Sequence, residues 1–555
     1  MTERRIFLSV LLVATALAAP LRGSSENRTL VLLTALERGR FDLDDQGWNS
    51  GDRSFVPTRL PLASIAFGGA ALANPAPSGH TYSNTAPGLA FTLLPIDLVL
   101  RGVLSESARI FFLVLVGAVL PHAAGSIGIR RAVLGFTRCS EETASLAALT
   151  HGFGTIAFPM ATRLMYHALP VALLAWALAL IPRGRHAAAG LLAAWAVVVD
   201  HNSALAAASV GVMAIAWGRG RGLVLFALGA VPSALVLGAY DTICFGAPWK
   251  TSYSFSVVGD IRDTYAAGMG FSLPRPAILF EILFGARRGS LFTQPAALLG
   301  LAGLASSARR DALLRGALAA ASLVILANAA RSHDWAAGNS FGPRYSIYSL
   351  PFLALGLPRG VEVVGRAFVA VAATSAAFNL VAASTNWGFS AVTTYACFFD
   401  LGPRTIGVTS LLLGPGHETN GGAALVAVVV LGIVLPGAIL VLRGRIVPFW
   451  LVLVLALAPA AATLRFARTV AASGPSGVER LEAGIRREEA RLELEAAWHP
   501  DQARRMVVTA AGFKDPWLYE RALERVVELD PQDTAARQLR DDAIAVLRSA
   551  SRAPR

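Results

Sequence analysis

The sequence predicts an all-α polytopic membrane protein: a bundle of about 13 transmembrane helices, short helices lying along the membrane in the first outer loop, and a small C-terminal helical domain. Three observations predict it. The 555 residues are 54% hydrophobic and only 15% charged, with a mean hydropathy of +0.54, whereas a globular domain carries roughly 25% charged residues. Apolar runs of about 20 residues, the length that crosses a bilayer, recur from Ile6 to Phe466. After Arg468 the chain turns abruptly charged and helix-favouring, as in Arg486-Arg-Glu-Glu-Ala-Arg-Leu-Glu-Leu-Glu. The division expected is therefore a membrane domain over 1–470 and a soluble helical tail over 475–555.

Spans are expected at 6–21, 108–128, 141–160, 165–182, 187–204, 203–218, 222–241, 291–307, 315–330, 345–358, 367–384, 423–442 and 447–466. The fifth and sixth abut at a tight turn near Asp200-His201-Asn202. The N-terminus imitates a signal peptide (Arg4-Arg5, an apolar run, then Ala18-Ala19-Pro20), and with so many spans following, an uncleaved first helix is expected. Alternate short connections carry Arg: Arg4-Arg5, Arg130-Arg131, Arg183 with Arg185, Arg219 with Arg221, Arg309-Arg310, Arg359 with Arg366, and Arg443 with Arg445. The positive-inside rule puts these in the cytoplasm. The long connections, roughly 22–107, 242–290, 331–344 and 385–422, then all lie on the outer face, where a site belongs.

The net charge of +13 is spread over these short clusters rather than gathered on one face, which argues against nucleic acid as a partner. Cys139, Cys244 and Cys397 show no metal-ligand spacing; Cys244 and Cys397 could pair on the outer face, and unpaired thiols are expected. Within the first outer loop, 22–107, residues 27–39 have helical spacing and read as a helix on the membrane surface. Residues 88–100 are too short to cross and read as a second. In the tail, Ala522-Leu-Glu-Arg-Val-Val-Glu-Leu-Asp-Pro-Gln-Asp-Thr-Ala-Ala resembles the second helix and exit turn of a tetratricopeptide repeat, which makes the tail a candidate unit for binding a protein partner.

Several ordered motifs carry a resemblance. Glu26-Asn-Arg follows the first span and precedes the surface helix; Asn49-Ser-Gly-Asp52 and Gly79-His-Thr-Tyr-Ser-Asn-Thr-Ala-Pro-Gly88 come next. Gly152-Phe-Gly-Thr-Ile-Ala-Phe-Pro, Tyr166-His167, Phe245-Gly-Ala-Pro, Arg288-Gly-Ser-Leu-Phe and Asn339-Ser-Phe-Gly-Pro-Arg-Tyr345 follow in order. In these, residues 1–400 resemble the GT-C superfamily of lipid-linked-sugar glycosyltransferases, particularly the bacterial members related to protein O-mannosyltransferases and to the lipid A aminoarabinose transferase. Two departures stand out. Thr85 occupies a position where that family commonly has Lys, and residues 53–78 look like an insertion.

The resemblance implies a GT-C-like bundle in a bacterial inner membrane and a hexosyl- or pentosyltransferase. Its donor would be a polyprenyl-phosphate sugar and its acceptor a hydroxyl of a glycan, lipid or protein at the outer face, with inversion. Such a reaction needs a carboxylate to take the acceptor proton and cations to receive the phosphate's charge. Motif position favours Asp52 or Glu26 as the base; Asp42, Asp44 and Asp45 read equally as caps of a surface loop. Arg344 suits bidentate phosphate contact, or it snorkels to headgroups. Tyr345 shares its motif. His80, Tyr82 and His167 are sugar-pocket candidates, His167 reading equally as a hydrogen-bonded core residue. Asp200-His201-Asn202 is either functional or the filling of a tight turn. Trp335, with His333 and Asp334, could stack on sugar or prenyl chain, or sit in an aromatic belt. No cofactor is implied; a divalent metal is admitted.

Two rival classes compete. A transporter or flippase of lipid-linked glycans shares the hydrophobicity but calls for an internal repeat and mid-membrane charges; the acids here cluster in the first loop instead. A non-catalytic membrane scaffold would act through its tail. The odd span count places the tail outside the cytoplasm, so alkaline phosphatase fused after Arg555 should be active; a green-fluorescent fusion that glows there would overturn this topology.

Overall fold

The computed structural model describes residues 1–19, 24–45, 53–57, 79–257, 270–331, 335–336, 340–384, 393–395, 475–495 and 516–551, with single positions at 262, 265, 503, 504, 506, 507, 510 and 511. Within these the chain is mostly helical, with one two-stranded antiparallel ribbon. The two surface helices form as Ser24–Glu37 and Gly88–Leu100. The ribbon joins Arg53–Pro57 to Gly79–Ser83, in register from Arg53↔Ser83 to Pro57↔Gly79. It therefore staples the two ends of the apparent insertion beside the Gly79–Gly88 motif.

The membrane-type helices follow the expected order but are cut more finely. Glu106–Phe136 is continuous, with one π turn at Leu115–Val119. The run expected at 141–160 divides into Glu141–Gly154 and Ala157–Ala161; Ser140 caps the first, its Oγ accepting the Thr143 N–H at 3.2 Å. Ala168–Leu180 and His186–Val199 follow. The Ala204–Phe245 stretch is interrupted at Arg219 (φ 53°, ψ −150°). A Cβ on Gly222 would come within 2.4 Å of the Ala214 carbonyl oxygen, although eight residues of straight helix span about 12 Å. The chain thus turns back at the Arg219 connection, and the expected spans 203–218 and 222–241 are two helices packed side by side.

Pro295–Ser307, Ala312–Ala329 and Ala367–Ser384 fall where expected. The run expected at 345–358 does not: a 3-10 turn over Arg344–Ser349 leads into Leu350–Ala354, and Leu357–Val364 is bent 71° from it. Pro351 and Pro358 each open a new helix, because proline is tolerated in a first turn and not in an interior. By length and composition, four described elements can cross a membrane, or five if the bent pair is one span. Among the described residues this does not confirm the expected count of about 13: several apolar runs make helices of 13–15 residues, shorter than a straight crossing needs. The runs expected at 423–442 and 447–466 lie outside the described residues.

The tail forms Pro475–Glu495, Pro516–Leu529 and Thr534–Ser551, with a small core of Leu494, Met506, Leu518, Leu523 and Val526. Between the last two helices, Asp533 Oδ1 caps the Ala536 N–H at 2.9 Å. The tail does not stand apart. Glu489 pairs with Arg288 at 2.6 Å, and Leu492 packs on the cluster of Ile278, Ile282, Ile325 and Trp335.

One close approach sets the first loop against the bundle. A Cβ on Gly88 would lie 2.6 Å from the carbonyl carbon and oxygen of Val198 and from the nitrogen of Val199. The opening of the Gly88–Leu100 helix is thereby pressed onto backbone just before Asp200. Backbone cannot yield as a flexible side chain can, so Gly88→Ala should destabilise the protein by about 1–3 kcal/mol or more. It should show as a lowered thermal unfolding midpoint in detergent, whereas Gly484→Ala, with open space around it, should not lower it. An unchanged midpoint for Gly88→Ala would refute this packing.

Candidate functional site

The site is built around Asp200, which is 3% exposed and follows directly on the His186–Val199 helix. Its Oδ1 accepts from the Asn202 backbone N–H at 3.0 Å and from the Asn202 side-chain amide at 2.9 Å. Its Oδ2 accepts from the Tyr348 hydroxyl and lies 3.1 Å from His167 Nδ1. His167 Nδ1 is also 2.8 Å from the Tyr348 hydroxyl. Three separate elements thus meet in one buried polar cluster: the start of Ala168–Leu180, the Asp200 turn and the 3-10 turn of the broken span. One Asp200 oxygen fills the turn and the other holds the long-range partners.

Cations stand beside this cluster. Arg331 donates to the Asn202 amide oxygen and lies over the Tyr345 ring, 3.6 Å from its centroid. Arg344 lies 5.5 Å from the same centroid, and its charge and that of Arg28 both act on the His167 ring. Two guanidiniums therefore share one aromatic ring at the edge of the Asp200 cluster. Aromatics continue the wall: Tyr253 stacks on Tyr265 at 4.6 Å, and His201 meets Tyr253 edge-on at 6.4 Å. The Arg344 loop is itself held. Gly342 has φ +74° and would carry a Cβ 2.7 Å from Ile156 Cγ2, so no larger residue fits, and Phe341 beside it is fully buried.

In the first loop, Glu26 is buried and pairs with Arg163 at 3.2 Å. Asp52 lies outside the described residues. His80, half exposed on the ribbon, contacts Asp44 at 2.7 Å, and the other Asp44 oxygen accepts the Thr81 N–H at 2.7 Å. Asp42, Asp44 and His80 place one ligand atom each within 4.8 Å of one another, a mixed oxygen and nitrogen set of the kind that suits zinc or manganese. Burial pushes the Asp42 carboxyl up, but the Arg40 hydrogen bond and charge outweigh it and hold it below the usual carboxylate range. Tyr82 packs with Phe41, Phe91, Tyr240 and Phe245, and burial pushes its phenol up to about 12. Thr85 is buried, its hydroxyl 2.9 Å from that of Ser83.

The structure brings His167, Arg344 and Tyr345 together and leaves His80 and Tyr82 on the ribbon side. Trp335 is 1% exposed within the Ile278, Ile282 and Ile325 cluster, so its ring is packed among aliphatic side chains. His333 and Asp334 lie outside the described residues. Among the described residues Cys139 and Cys244 are free thiols. Sequence reasoning did not single out Tyr348 or Arg331. Tyr348 follows the quoted Pro-Arg-Tyr motif by three residues, one turn of the 3-10 helix that it enters, and that spacing was the available signal.

No family model and no curated protein matches the chain. Two solved structures are similar to it, both of ArnT from Cupriavidus metallidurans. The apo structure aligns at 15% identity over 88% of this chain and 78% of that one, with a TM-score of 0.42. The second, bound to undecaprenyl phosphate, aligns at 16% identity over 88% and 79%, with a TM-score of 0.39. At that level of likeness the functional reading rests on this chain's own residues.

A pair of carboxylates links the two surface helices. Glu37 ends the first and pairs with Arg101; Asp97, on the second, pairs with Arg109 at 2.6 Å. Burial pushes the Glu37 carboxyl from its ordinary 4.5 up to about 7, the hydrogen bond with Asp97 acting in the same direction and Arg101 against it. The folded state therefore holds a proton there that the unfolded chain has lost above about pH 4.5. Its contribution to stability is full below that pH and disappears as pH rises through about 7. Thermal midpoints measured from pH 5 to 8 should fall across this window in the wild type and fall less in Glu37→Gln. Parallel slopes in the two proteins would exclude Glu37 as the titrating group.

Proposed function

We propose that the protein is a membrane glycosyltransferase. It moves a sugar from a polyprenyl-phosphate donor to an acceptor hydroxyl at the outer face of a bacterial inner membrane, inverting the anomeric carbon. The observation that carries this reading is the pair of guanidiniums, Arg331 and Arg344, gathered on Tyr345 beside the Asp200 cluster. A guanidinium presents five N–H donors in a fixed fork whose geometry matches two phosphate oxygens. Together the two cations form a receptor for the charge that develops on a departing polyprenyl phosphate.

The acceptor hydroxyl must lose its proton as the glycosidic bond forms and the bond to phosphate breaks. The proton goes to a first-loop carboxylate, for which Asp52 is the first candidate and Glu26 the second. Glu26 is already committed to Arg163. Asp52 precedes Arg53, whose strand partner is Ser83, in the motif that contains Thr85. Tyr345, Tyr82, His80 and His167 are assigned to the walls around the sugar and phosphate. Any divalent cation would be held by Asp42, Asp44 and His80, where it would supply further charge for the phosphate.

The test is incubation of the purified full chain with a panel of polyprenyl-phosphate sugars, measuring release of polyprenyl phosphate. Asp52→Asn should cut turnover by about 10²–10⁴-fold and leave donor affinity nearly unchanged. Arg344→Ala should weaken donor binding as well as turnover, and Arg344→Lys should restore only part, because an ammonium lacks the fork. If Asp52→Asn turns over normally and Glu26→Gln does not, the base is Glu26. If no donor in the panel is consumed and none binds, the glycosyltransferase reading fails.

A further inference from the structure

The C-terminal tail reaches the Arg344 loop through one buried guanidinium. Arg288 is 2% exposed. Its Nε donates to Glu489 Oε1 at 2.6 Å and its Nη2 to Oε2 at 3.2 Å, a two-point grip on the tail carboxylate. The remaining nitrogen, Nη1, donates to the Ser340 carbonyl oxygen at 2.5 Å. Ser340 begins the run Phe341-Gly342-Pro343-Arg344-Tyr345, so the same side chain ties the tail helix to the start of the loop that presents Arg344. Leu492 lies one turn beyond Glu489 on the same helix face and packs on the cluster containing Trp335. The helix is thus seated by one ionic contact, to Arg288, and one apolar contact, to the Trp335 cluster.

We propose that Glu489 is a positioning residue for the donor site: through Arg288 it fixes the Ser340–Arg344 loop in the conformation that receives phosphate. This rests on the reading of Arg344 as a phosphate ligand. A buried guanidinium is tolerated when its charge is met, and removing one partner of such a pair leaves the other uncompensated. Without the Glu489 carboxylate, Arg288 must turn toward water or toward another anion, and the Ser340 carbonyl loses its donor. Further along, the Tyr348–Asp200 bond keeps the turn folded. The displacement therefore falls on the segment between Ser340 and Arg344. The tail, by this account, belongs to the donor site, although it carries none of the motifs of the membrane domain.

The test uses the full chain in lipid nanodiscs and two readouts: hydrogen exchange of the backbone amides over 340–349, and equilibrium binding of undecaprenyl phosphate. Glu489→Gln should speed exchange over 340–349 and weaken binding roughly 10- to 100-fold, the scale expected when a binding group is displaced by about an ångström. Turnover at saturating donor should change much less than affinity. Glu489→Asp keeps the charge on a shorter stem and should restore most of the affinity; it decides the matter if the Gln variant does not fold. Glu488→Gln, whose carboxylate pairs with Arg491 at 2.6 Å, should match the wild type in both readouts. Unchanged exchange and affinity in Glu489→Gln overturns the proposal, and so does faster exchange with unchanged affinity. Failure of the wild type to bind undecaprenyl phosphate would instead overturn the donor reading, and the exchange measurement would still decide whether the tail holds the loop.

Discussion

An ionised carboxylate taken out of water costs several kcal/mol unless its lone pairs are met, and Asp200 meets that demand with partners from three parts of the chain. Asn202 is local, whereas His167 and Tyr348 come from elements far away in sequence. Hydrogen bonds to a charged group contribute about 1.5–3 kcal/mol each, so the cluster fixes the start of the Ala168–Leu180 helix, the end of His186–Val199 and the entry to the broken span relative to one another. Asn202 then passes the order outward by receiving Arg331, which in turn lies on Tyr345. The cations of the site stand where they do because a carboxylate behind them had to be satisfied.

The break in the span beginning at Arg344 follows from the same demand. Irregular backbone at membrane depth is tolerated where protein lines it, and here the lining is polar side chains. Asn328 donates to Ser346 Oγ at 3.1 Å, Ser349 Oγ to the Ser346 carbonyl at 2.7 Å, and Tyr395 to the Phe292 carbonyl at 2.5 Å. Opposite the turn, the Gln294 amide oxygen accepts the Ile156 N–H at 3.1 Å, and Asn379 donates to the Thr293 carbonyl at 2.8 Å. In the turn itself the Ser349 hydroxyl meets the Ser346 carbonyl, and the other bonds fix the segments around it. The loop presenting Arg344 can therefore be irregular and still well held.

How much of this was legible depended on the range of the interaction. The surface helices at 24–37 and 88–100, the turn at Asp200 and the connection at Arg219 all follow from local signals: periodicity, length and arginine placement. The division of apolar runs into short helices was less legible, because hydropathy sees an apolar Pro-Phe-Leu-Ala-Leu-Gly-Leu-Pro stretch as continuous while two prolines each restart a helix. At the site, Arg344, Tyr345 and His167 came from motif order. Tyr348 pairs across 148 residues and Arg288 across 201, and single-sequence periodicity has no term for contacts at such separations. Trp335 likewise depends on distant residues, since it is the Ile278 and Ile282 helix and Leu492 that pack around it.

The departure at position 85 acquires a physical meaning from these contacts. Thr85 is buried and hydrogen-bonded to Ser83 at the end of the ribbon, where the resembling family commonly places a lysine. A neutral hydroxyl there contributes no charge toward a phosphate. On the proposed reading the charge comes instead from Arg331 and Arg344, which share the Tyr345 ring. Guanidiniums suit that arrangement better than an ammonium would: they are weakly hydrated, stack on aromatic faces and keep their fork of donors available in the plane. A site without that lysine depends more heavily on whatever holds the arginine-bearing loop in place. That dependence is why a buried pair as remote as Arg288 and Glu489 can bear on donor binding at all.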